Sequence, residues 1–138
     1  MARIATYKTC RDNAQDAFNA YIRARDAVCP IFKGLCIGCL KRRVFLCMHF
    51  LNKHHYSGSC FDEENAHGGC YYCNRRRGGN LIEYRINLIK KRGIKVVEKL
   101  EKNRKKKKTY TKAMLIAIKE EFILKLAKLT AQEEKKKK

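Results

Sequence analysis

Two Cys-x-x-Cys pairs constrain the fold of this chain more than any other feature of its sequence. The first pair is Cys36 and Cys39, and the second is Cys70 and Cys73. Thiolates at this spacing can reach one ion from a tight turn, and two such turns supply the four tetrahedral ligands that zinc prefers. A closed four-thiolate site leaves no position for water, so we expect a structural zinc ion that holds two segments of the chain together.

The other four cysteines show no such spacing; they are Cys10, Cys29, Cys47 and Cys60. The N-terminal segment MARIATYKTC lacks the apolar core of a signal peptide, and no run of residues is apolar enough to span a bilayer. We therefore expect a cytoplasmic protein without a membrane partner, in which thiols stay reduced and clustered cysteines bind metal. The four are predicted to be buried or half-buried free thiols, with Cys29 and Cys47 as alternative zinc ligands. A secreted disulfide framework is the competing interpretation.

The charge of the chain points to a polyanionic partner. Lysine and arginine number 33 against 13 acidic residues, which gives a net charge of +20 over 138 residues. A positive field of this size raises the local concentration of polyanions and speeds their encounter. We expect nucleic acid rather than an acidic membrane surface. The basic runs 104–108 and 135–138 should be solvated and raise affinity for any duplex, and the second run should be disordered.

Hydrophobic periodicity predicts a mainly helical chain. Spacings of three and four residues indicate helices over about 9–27 and 81–92, then a shorter helix, and a last helix that ends at about Ala131. Thr109 or Thr111 could cap this last helix. Gly93 is well placed to end the second of these helices. In that helix we expect burial on two sides, one with Leu81, Tyr84 and Leu88 and the other with Ile82, Ile86 and Ile89. The buried stripe predicted for the last helix comprises Leu115, Ile118, Phe122, Leu126 and Leu129.

The segment between the cysteine pairs carries residues with the potential for chemistry. Residues 42–50 are rich in strand formers and predict one strand of a short hairpin, with His49 near its end. A histidine in an apolar strand is commonly a core residue, but a neutral imidazole near pH 7 can also accept a proton. Asn65 precedes the second pair and Asn74 directly follows it. Asn74 could cap a helix that begins there, because Asn is a good N-cap residue.

Several blocks of residues, in their order and spacing, resemble the phage NinG family, also called Rap. They are Phe18-Asn-Ala-Tyr-Ile-Arg-Ala-Arg-Asp26, Cys36-Ile-x-Cys39, Phe61-Asp-Glu-x-Asn65-x-His67-x-x-Cys70-x-x-Cys73-Asn74 and Gly79-Asn-Leu-x-x-Tyr-Arg-x-x-Leu-Ile89. The part from Asn65 to Asn74 is also similar to the zinc-stapled HNH, or His-Me finger, nucleases. The resemblance covers most of the chain. It implies a phage recombination endonuclease that acts on branched DNA, such as D-loops and Holliday junctions, in the cytoplasm of a bacterial host.

The HNH resemblance implies a role for each polar residue. His49 would be the general base that takes a proton from the attacking water, and Asn65 would hydrogen-bond the backbone of the intervening loop. Asn74 would be an oxygen ligand of a catalytic Mg²⁺ or Mn²⁺ ion that stabilises charge on the phosphate. The arginines expected to contact DNA flank the cysteine pairs; they are Arg42, Arg43, Arg75, Arg76 and Arg77.

One position departs from the HNH pattern. Met48 stands where many of these nucleases have an Asp metal ligand, and a thioether is too soft for Mg²⁺. The replacement candidates, among which spacing does not choose, are Asp62, Glu63, Glu64 and His67. Two alternatives therefore stay open. One is a non-catalytic zinc-dependent DNA-binding protein, and the other is a basic zinc scaffold that recruits recombination proteins through its last helix.

The sequence thus predicts an α+β, mainly helical fold with a small zinc-bound ββα-metal (HNH-like) core and flanking N- and C-terminal helices. We expect an N-terminal helix and linker over 1–35, a zinc-stapled HNH-like nuclease core over 36–80, and a basic helical extension over 81–138. A branched substrate with two strands to cut would suit a homodimer, although no sequence feature fixes the oligomeric state.

Overall fold

The computed structural model describes residues 4–137, which form four α-helices and a two-stranded antiparallel sheet. In chain order the elements are α1 (Tyr7–Ala27), β1 (Leu46–His49), β2 (Ala66–Gly69), α2 (Leu81–Arg92), α3 (Ile94–Lys102) and α4 (Lys112–Lys136). The expectation of a mainly helical α+β fold is confirmed. Within the described residues, no helix has the length and apolar character needed to cross a membrane.

The two long helices, α1 and α4, pack against each other and against one face of the sheet. Each helix is capped by the threonine that precedes it. The Thr6 hydroxyl accepts the Thr9 N–H, and the Thr111 hydroxyl accepts the Met114 N–H. Phe18 and Phe122 meet edge to face between the helices, with ring centroids 4.9 Å apart. The two ends of the described chain therefore form one layer of the fold.

The opposite face of the sheet contacts α2, α3 and the loop of the first cysteine pair. Met48 and His67 are cross-strand partners, and His49 pairs with Ala66. Because side chains alternate along a strand, the two pairs point to opposite faces. Met48 lies in the core of α2 and α3, whereas Ala66 lies in the core of α1 and α4. The sheet thus separates His49 from His67.

The strand β2 was missed in the sequence because two of its four residues are glycines. A side chain at Gly68 would come within 2.6 Å of Val44, and one at Gly69 would meet Met48. Glycine at these two positions lets the backbone of β2 lie close to the side chains of Val44 and Met48. Glycine has a low intrinsic preference for strands, so the local sequence does not predict β2. The strand predicted over 42–50 is correspondingly too long. Arg43 instead bridges Leu35, in the loop of the first cysteine pair.

Two other expectations about the helices are wrong. Leu81, Ile82 and Ile86 are 49%, 78% and 43% exposed, so α2 is not buried on two sides. The side of α2 that is buried carries Tyr84, Asn87 and Leu88. Helix α4 continues through Lys136, so the disorder predicted for the terminal lysines does not occur in residues 135–137, and Lys138 lies outside the described residues.

Candidate functional site

The four cysteines of the two pairs come together at the junction of the sheet and α2. Their sulfur atoms all lie within 4.8 Å of one another, and Cys39 Sγ is 4.0 Å from Cys70 Sγ. Four thiolates held about 2.3 Å from a tetrahedral ion are about 3.8 Å apart, so the cluster fits zinc and can bind a structural metal. Cys29 and Cys47 are not part of it. The four remaining cysteines are free thiols, as predicted.

Amide donors surround the sulfur cluster. The N–H of Gly38 donates to Cys36 Sγ at 3.2 Å, and the side-chain amide of Asn80 donates to Cys73 Sγ at 3.6 Å. Burial raises the pKa of Cys39, but the backbone N–H groups of Arg42 and Lys41 outweigh it and lower that pKa to about 7. At Cys36 and Cys73 burial outweighs the donors and raises the pKa, to about 12 for Cys73, so a bound cation would be needed to hold these two as thiolates.

One side of α2 holds the cluster and the sheet in place. Asn80, at its N-terminus, and Asn87 both donate to backbone carbonyls of the first cysteine pair's turn, Asn80 to Gly38 at 3.3 Å and Asn87 to Ile37 at 2.6 Å. Tyr84 donates its hydroxyl proton to the backbone carbonyl of Met48 at 2.7 Å. The spacing of these residues, four and then three, is a helical face. Sequence reasoning missed it because the face is partly polar.

A cleft of about 950 Å³ brings His49 and Asn74 together. Its basic lining residues include Lys53, Arg75 and Arg85. None of the residues that line it, all within 4–137, is acidic. The cleft is therefore suited to a phosphate group, and it also has no carboxylate for a divalent ion.

His49, which lines this cleft, has a defined tautomer. Its Nε2 lies 2.9 Å from the backbone carbonyl of Cys60, which can only accept a hydrogen bond, so Nε2 carries the proton and Nδ1 has the free lone pair. The ring is also 5.7 Å from that of Phe18. Burial lowers the pKa of His49 to about 4, so the imidazole is neutral near pH 7. A neutral ring with an oriented lone pair can accept a proton, and a pKa of about 4 makes it a weak base near pH 7.

Asn65 is buried and ties together the loop between β1 and β2. Its side-chain amide donates to the carbonyls of Leu51 at 3.0 Å and Ser59 at 3.1 Å, and its Oδ1 accepts from the Leu51 N–H at 2.8 Å. The bonds to Leu51 fix the chain just after His49. The loop bonding expected of Asn65 is present in the structure.

Asn74 lies in the single π-helical turn Tyr72–Arg76 that follows the second cysteine pair. Its backbone N–H donates to the Cys70 carbonyl at 3.1 Å, and the side chain is exposed. Asn74 is inside the turn and is not the first residue of a helix, because Asn80 precedes α2. The helix-capping interpretation of Asn74 is therefore wrong.

The four candidates for a second metal ligand lie away from His49 and Asn74. Asp62, Glu63, Glu64 and His67 line a separate cavity of about 610 Å³. Nε2 of His67 donates to the Glu64 carbonyl at 2.9 Å, and its Nδ1 accepts from Lys91 Nζ at 3.0 Å. Burial lowers the pKa of His67 to about 3. His67 therefore belongs to a buried polar network and is not aimed at the cleft.

That network is centred on Asp26, which the sequence analysis did not single out. The Asp26 carboxylate accepts from the Gly68 N–H at 2.6 Å, from Arg25 at 2.8 Å and from Lys91 at 3.0 Å. Burial raises its pKa, but Arg25 and Lys91 outweigh this effect and hold the pKa at about 2. The network joins α1, β2 and α2. Its signal in the sequence is the four-residue step that places Asp26 on the buried side of α1.

The five predicted DNA-contacting arginines are all exposed and fall into two groups. Arg42 and Arg77 lie over the ring of Tyr72, at 4.6 and 5.4 Å from its centroid. Arg75 lies 6.0 Å from the ring centroid of Tyr71 and also lines the cleft. Arg43 and Arg76 make neither of these ring contacts.

These features define a class of small, basic α+β proteins with a four-cysteine metal-binding cluster beside a cationic cleft. Residues 2–134 match the family model described as Bacteriophage Lambda NinG protein, and the chain belongs to that family. The predicted family resemblance is thereby confirmed.

Individual relatives agree with this assignment. Protein ninG of Salmonella phage P22 is 36% identical over 118 residues, which cover 84% of this chain and 55% of that protein. Protein ninG of Escherichia phage lambda is 35% identical over 118 residues, which again cover 84% of this chain and 55% of that protein. Protein ninG of Escherichia phage 933W is 37% identical over 92 residues, which cover 65% of this chain and 43% of that protein. The chain thus spans about half the length of the curated relatives it matches. No solved structure matches it.

Proposed function

We propose that this protein is a metal-dependent endonuclease that cuts branched DNA recombination intermediates. The observation that carries the proposal is the shared cleft of His49 and Asn74, in which His49 is neutral and has its Nδ1 lone pair free. The surrounding lysine and arginine residues favour binding of the phosphate backbone. The preference for branched DNA rests on the family resemblance.

The order of elements supports an HNH-type core. Strand β1 ends at His49, a loop tied by Asn65 follows, and β2 leads through the second cysteine pair to Asn74. In this arrangement the four-cysteine cluster is structural, because all four tetrahedral positions are taken by sulfur. Hydrolysis would take place at His49, several residues away from the cluster in the chain.

The proposed chemistry divides the work between base and ion. His49 would accept the proton of a water molecule that attacks phosphorus, and a Mg²⁺ or Mn²⁺ ion would stabilise charge on the phosphate and on the leaving 3′ oxygen. Asn74 would supply one oxygen ligand. Because no carboxylate lines the cleft, water molecules and phosphate oxygens of DNA would supply the remaining coordination. We therefore expect weak divalent-ion binding before DNA is bound.

A second candidate function is favoured by Met48 and its surroundings. Met48 is 2% exposed and points away from the cleft into the core of α2 and α3. Position 48, where many HNH nucleases have an acidic metal ligand, therefore offers no oxygen atom to an ion. A protein that has lost its catalytic ion in this way would be a zinc-dependent DNA-binding module without hydrolysis. A scaffold that recruits recombination proteins through α4 stays a third possibility, since Ile116, Ile123 and Leu124 are exposed there.

Cleavage of end-labelled DNA separates the first two candidates. Zinc-loaded wild-type protein is incubated with four-way junction, D-loop and plain duplex DNA, with and without Mg²⁺ or Mn²⁺. We expect cutting near the branch point that requires the divalent ion and falls at least a hundredfold in His49→Ala, with DNA binding retained. His55→Ala, at an exposed histidine in the loop that follows β1, is the matched control and should cut normally. Tight binding without cutting in either metal would contradict the nuclease proposal and support the binding module.

A further inference from the structure

We propose that Tyr71 and the arginines around Tyr72 form a surface on which unpaired DNA bases stack beside the cleft. We call this surface the aromatic knuckle; it consists of Tyr71, Tyr72, Arg42, Arg75 and Arg77. The inference rests on the proposed function in one respect, that DNA is the partner. It adds the class of DNA: a strand whose bases are unpaired next to the phosphate held in the cleft.

The two tyrosines of the knuckle are exposed on a rigid support. Tyr71 and Tyr72 are the two residues between Cys70 and Cys73, and their side chains are 57% and 39% exposed. Both flanking cysteines are buried in the sulfur cluster. A bound metal would fix the short turn at both ends, so the rings are held out to solvent with little freedom of the backbone. Rings held in place in advance lose less entropy when a base stacks on them.

The ring of Tyr72 contacts more arginine side chains than the ring of Tyr71 does. Tyr72 has two guanidinium groups over it, Arg42 at 4.6 Å and Arg77 at 5.4 Å, both within the usual range of a cation–π contact. Tyr71 has Arg75 at 6.0 Å, which is at the limit of that range. Tyr72 therefore serves to position two planar cations, and the ring of Tyr71 is the more open one for a base.

The position of the knuckle links it to the cleft. Arg75 lies over Tyr71 and also lines the cleft that contains His49 and Asn74. A strand with one phosphate held by Arg75 at the edge of the cleft would therefore bring a neighbouring base to Tyr71. In an intact duplex those bases are stacked inside the helix and cannot reach the ring. Unpaired bases at a branch or fork can, because every base has a face that stacks on an aromatic ring or a guanidinium plane.

The charge of the knuckle is compatible with an acidic protein segment as well, but the open ring is not explained by it. Three arginines attract any polyanion, whereas the face of a tyrosine ring is electronegative and does not attract a carboxylate. Nucleic acid uses both parts together, with phosphates at the arginines and a base on the ring. We therefore commit to DNA, and make binding of an acidic peptide one outcome of the test.

The test measures binding to forked DNA that carries 2-aminopurine at the unpaired position nearest the fork, beside a fully paired duplex of the same sequence. The whole zinc-loaded chain is used without Mg²⁺ or Mn²⁺, so that no cleavage interferes. Stacking on a protein ring contributes about 1–3 kcal/mol per base, and 1.4 kcal/mol corresponds to a tenfold change. We expect Tyr71→Leu to weaken binding of the fork about tenfold and binding of the duplex less than twofold. Tyr71→Phe should bind as the wild type does.

Controls keep this test decisive. Leu124→Ala, at an exposed apolar residue of α4 that does not line the cleft, should change neither affinity, and zinc content is measured for every variant. If Tyr71→Leu fails to hold zinc, the wild-type protein decides, because stacking must change 2-aminopurine fluorescence on binding. The inference would be overturned if the fluorescence did not change when the wild type binds. It would also be overturned if Tyr71→Leu lost no affinity, or lost as much affinity for the duplex as for the fork. Displacement of the fork by a poly-glutamate peptide at a similar concentration would overturn it as well.

The inference and the proposed function can fail separately. Fork binding that depends on Tyr71, without cleavage in Mg²⁺ or Mn²⁺, would support the aromatic knuckle and contradict the nuclease. Cleavage at branch points that is unchanged in Tyr71→Leu would do the reverse.

Discussion

The pairing register of β1 and β2 decides which of the two histidines, His49 or His67, lies on the cleft side of the sheet. The two lie on adjacent strands, but His49 pairs with Ala66 and His67 pairs with Met48, so their rings point to opposite faces of the sheet. Sequence reasoning identified the four cysteines because their spacing alone specifies the chemistry. It could not choose between a core role and a functional role for either histidine. Burial, the tautomer and the hydrogen-bond partners decide that, and they depend on packing between distant segments.

At Asn65, we expect replacement by Asp to destabilise the fold by about 2–4 kcal/mol. The substitution removes the amide protons that reach the Leu51 and Ser59 carbonyls and places carboxylate oxygen against them. Urea unfolding of zinc-loaded protein measures the change. Gln132→Glu on the exposed surface of α4 makes the same amide-to-acid change and should cost at most about 0.5 kcal/mol. A similar small cost at Asn65 would mean that the loop does not depend on this side chain.

His49 also gives a prediction for pH. Its pKa is about 4 in the folded protein and about 6.5 in an unfolded chain, so the unfolded state binds the proton first as the pH falls. Its contribution to stability is complete above pH 6.5 and is lost progressively between pH 6.5 and 4. Between pH 7 and 5 the wild type should therefore lose about 1–2 kcal/mol more than His49→Gln.

Urea unfolding at the two pH values, with zinc in equal excess, provides the comparison. Protonation of the cysteines affects both proteins, so their difference isolates the histidine. Equal losses in the two proteins would show that His49 is not buried as a neutral ring.

At the scale of secondary-structure elements, the helices could be predicted and the second strand could not. α1, α2 and α4 each have a periodic apolar or capped pattern that is local, and the predicted 81–92 helix has the observed bounds. β2 is four residues of Ala, His and Gly whose pairing depends on β1 and on the first cysteine loop. The partly polar buried side of α2 was missed for a related reason. The side-chain amides of Asn80 and Asn87 donate hydrogen bonds to backbone carbonyls of a loop that lies more than 40 residues earlier in the chain.

That role of α2 predicts a loss of zinc affinity in Asn80→Gly. Asn80 has a left-handed backbone, φ +50°, which glycine adopts without strain, so the substitution removes only the side-chain contacts to Gly38 and Cys73. Loss of partners around metal ligands commonly costs 10–100-fold in affinity, and we expect about tenfold here. Competition with a chromophoric chelator measures it, with Asn103→Gly at the end of α3 as the control. Unchanged affinity would mean that the cluster is positioned without α2.

At the scale of the whole molecule, the net charge is +20, and the basic surface of the cleft continues into a neighbouring hollow. Lys53 and His54 line the cleft and also an adjoining hollow that contains Lys108. Lys108 ends the exposed run of four lysines that begins at Lys105. A duplex arm of a branched DNA that leaves the cleft on this side would therefore meet the run. Composition predicted the sign of this surface, but only the fold places the run beside the cleft.

Replacing the four lysines 105–108 with glutamine should therefore weaken binding of plain duplex and of junction DNA by a similar factor. Each phosphate contact that is lost reduces the slope of log affinity against log salt by about 0.9, so the slope should become shallower by up to about 3–4. Titrations between 50 and 200 mM salt measure it. The same positions changed to arginine keep the charge and should keep the slope. If the glutamine variant lost affinity for junctions alone, the run would recognise the branch itself, and its action through charge alone would be contradicted.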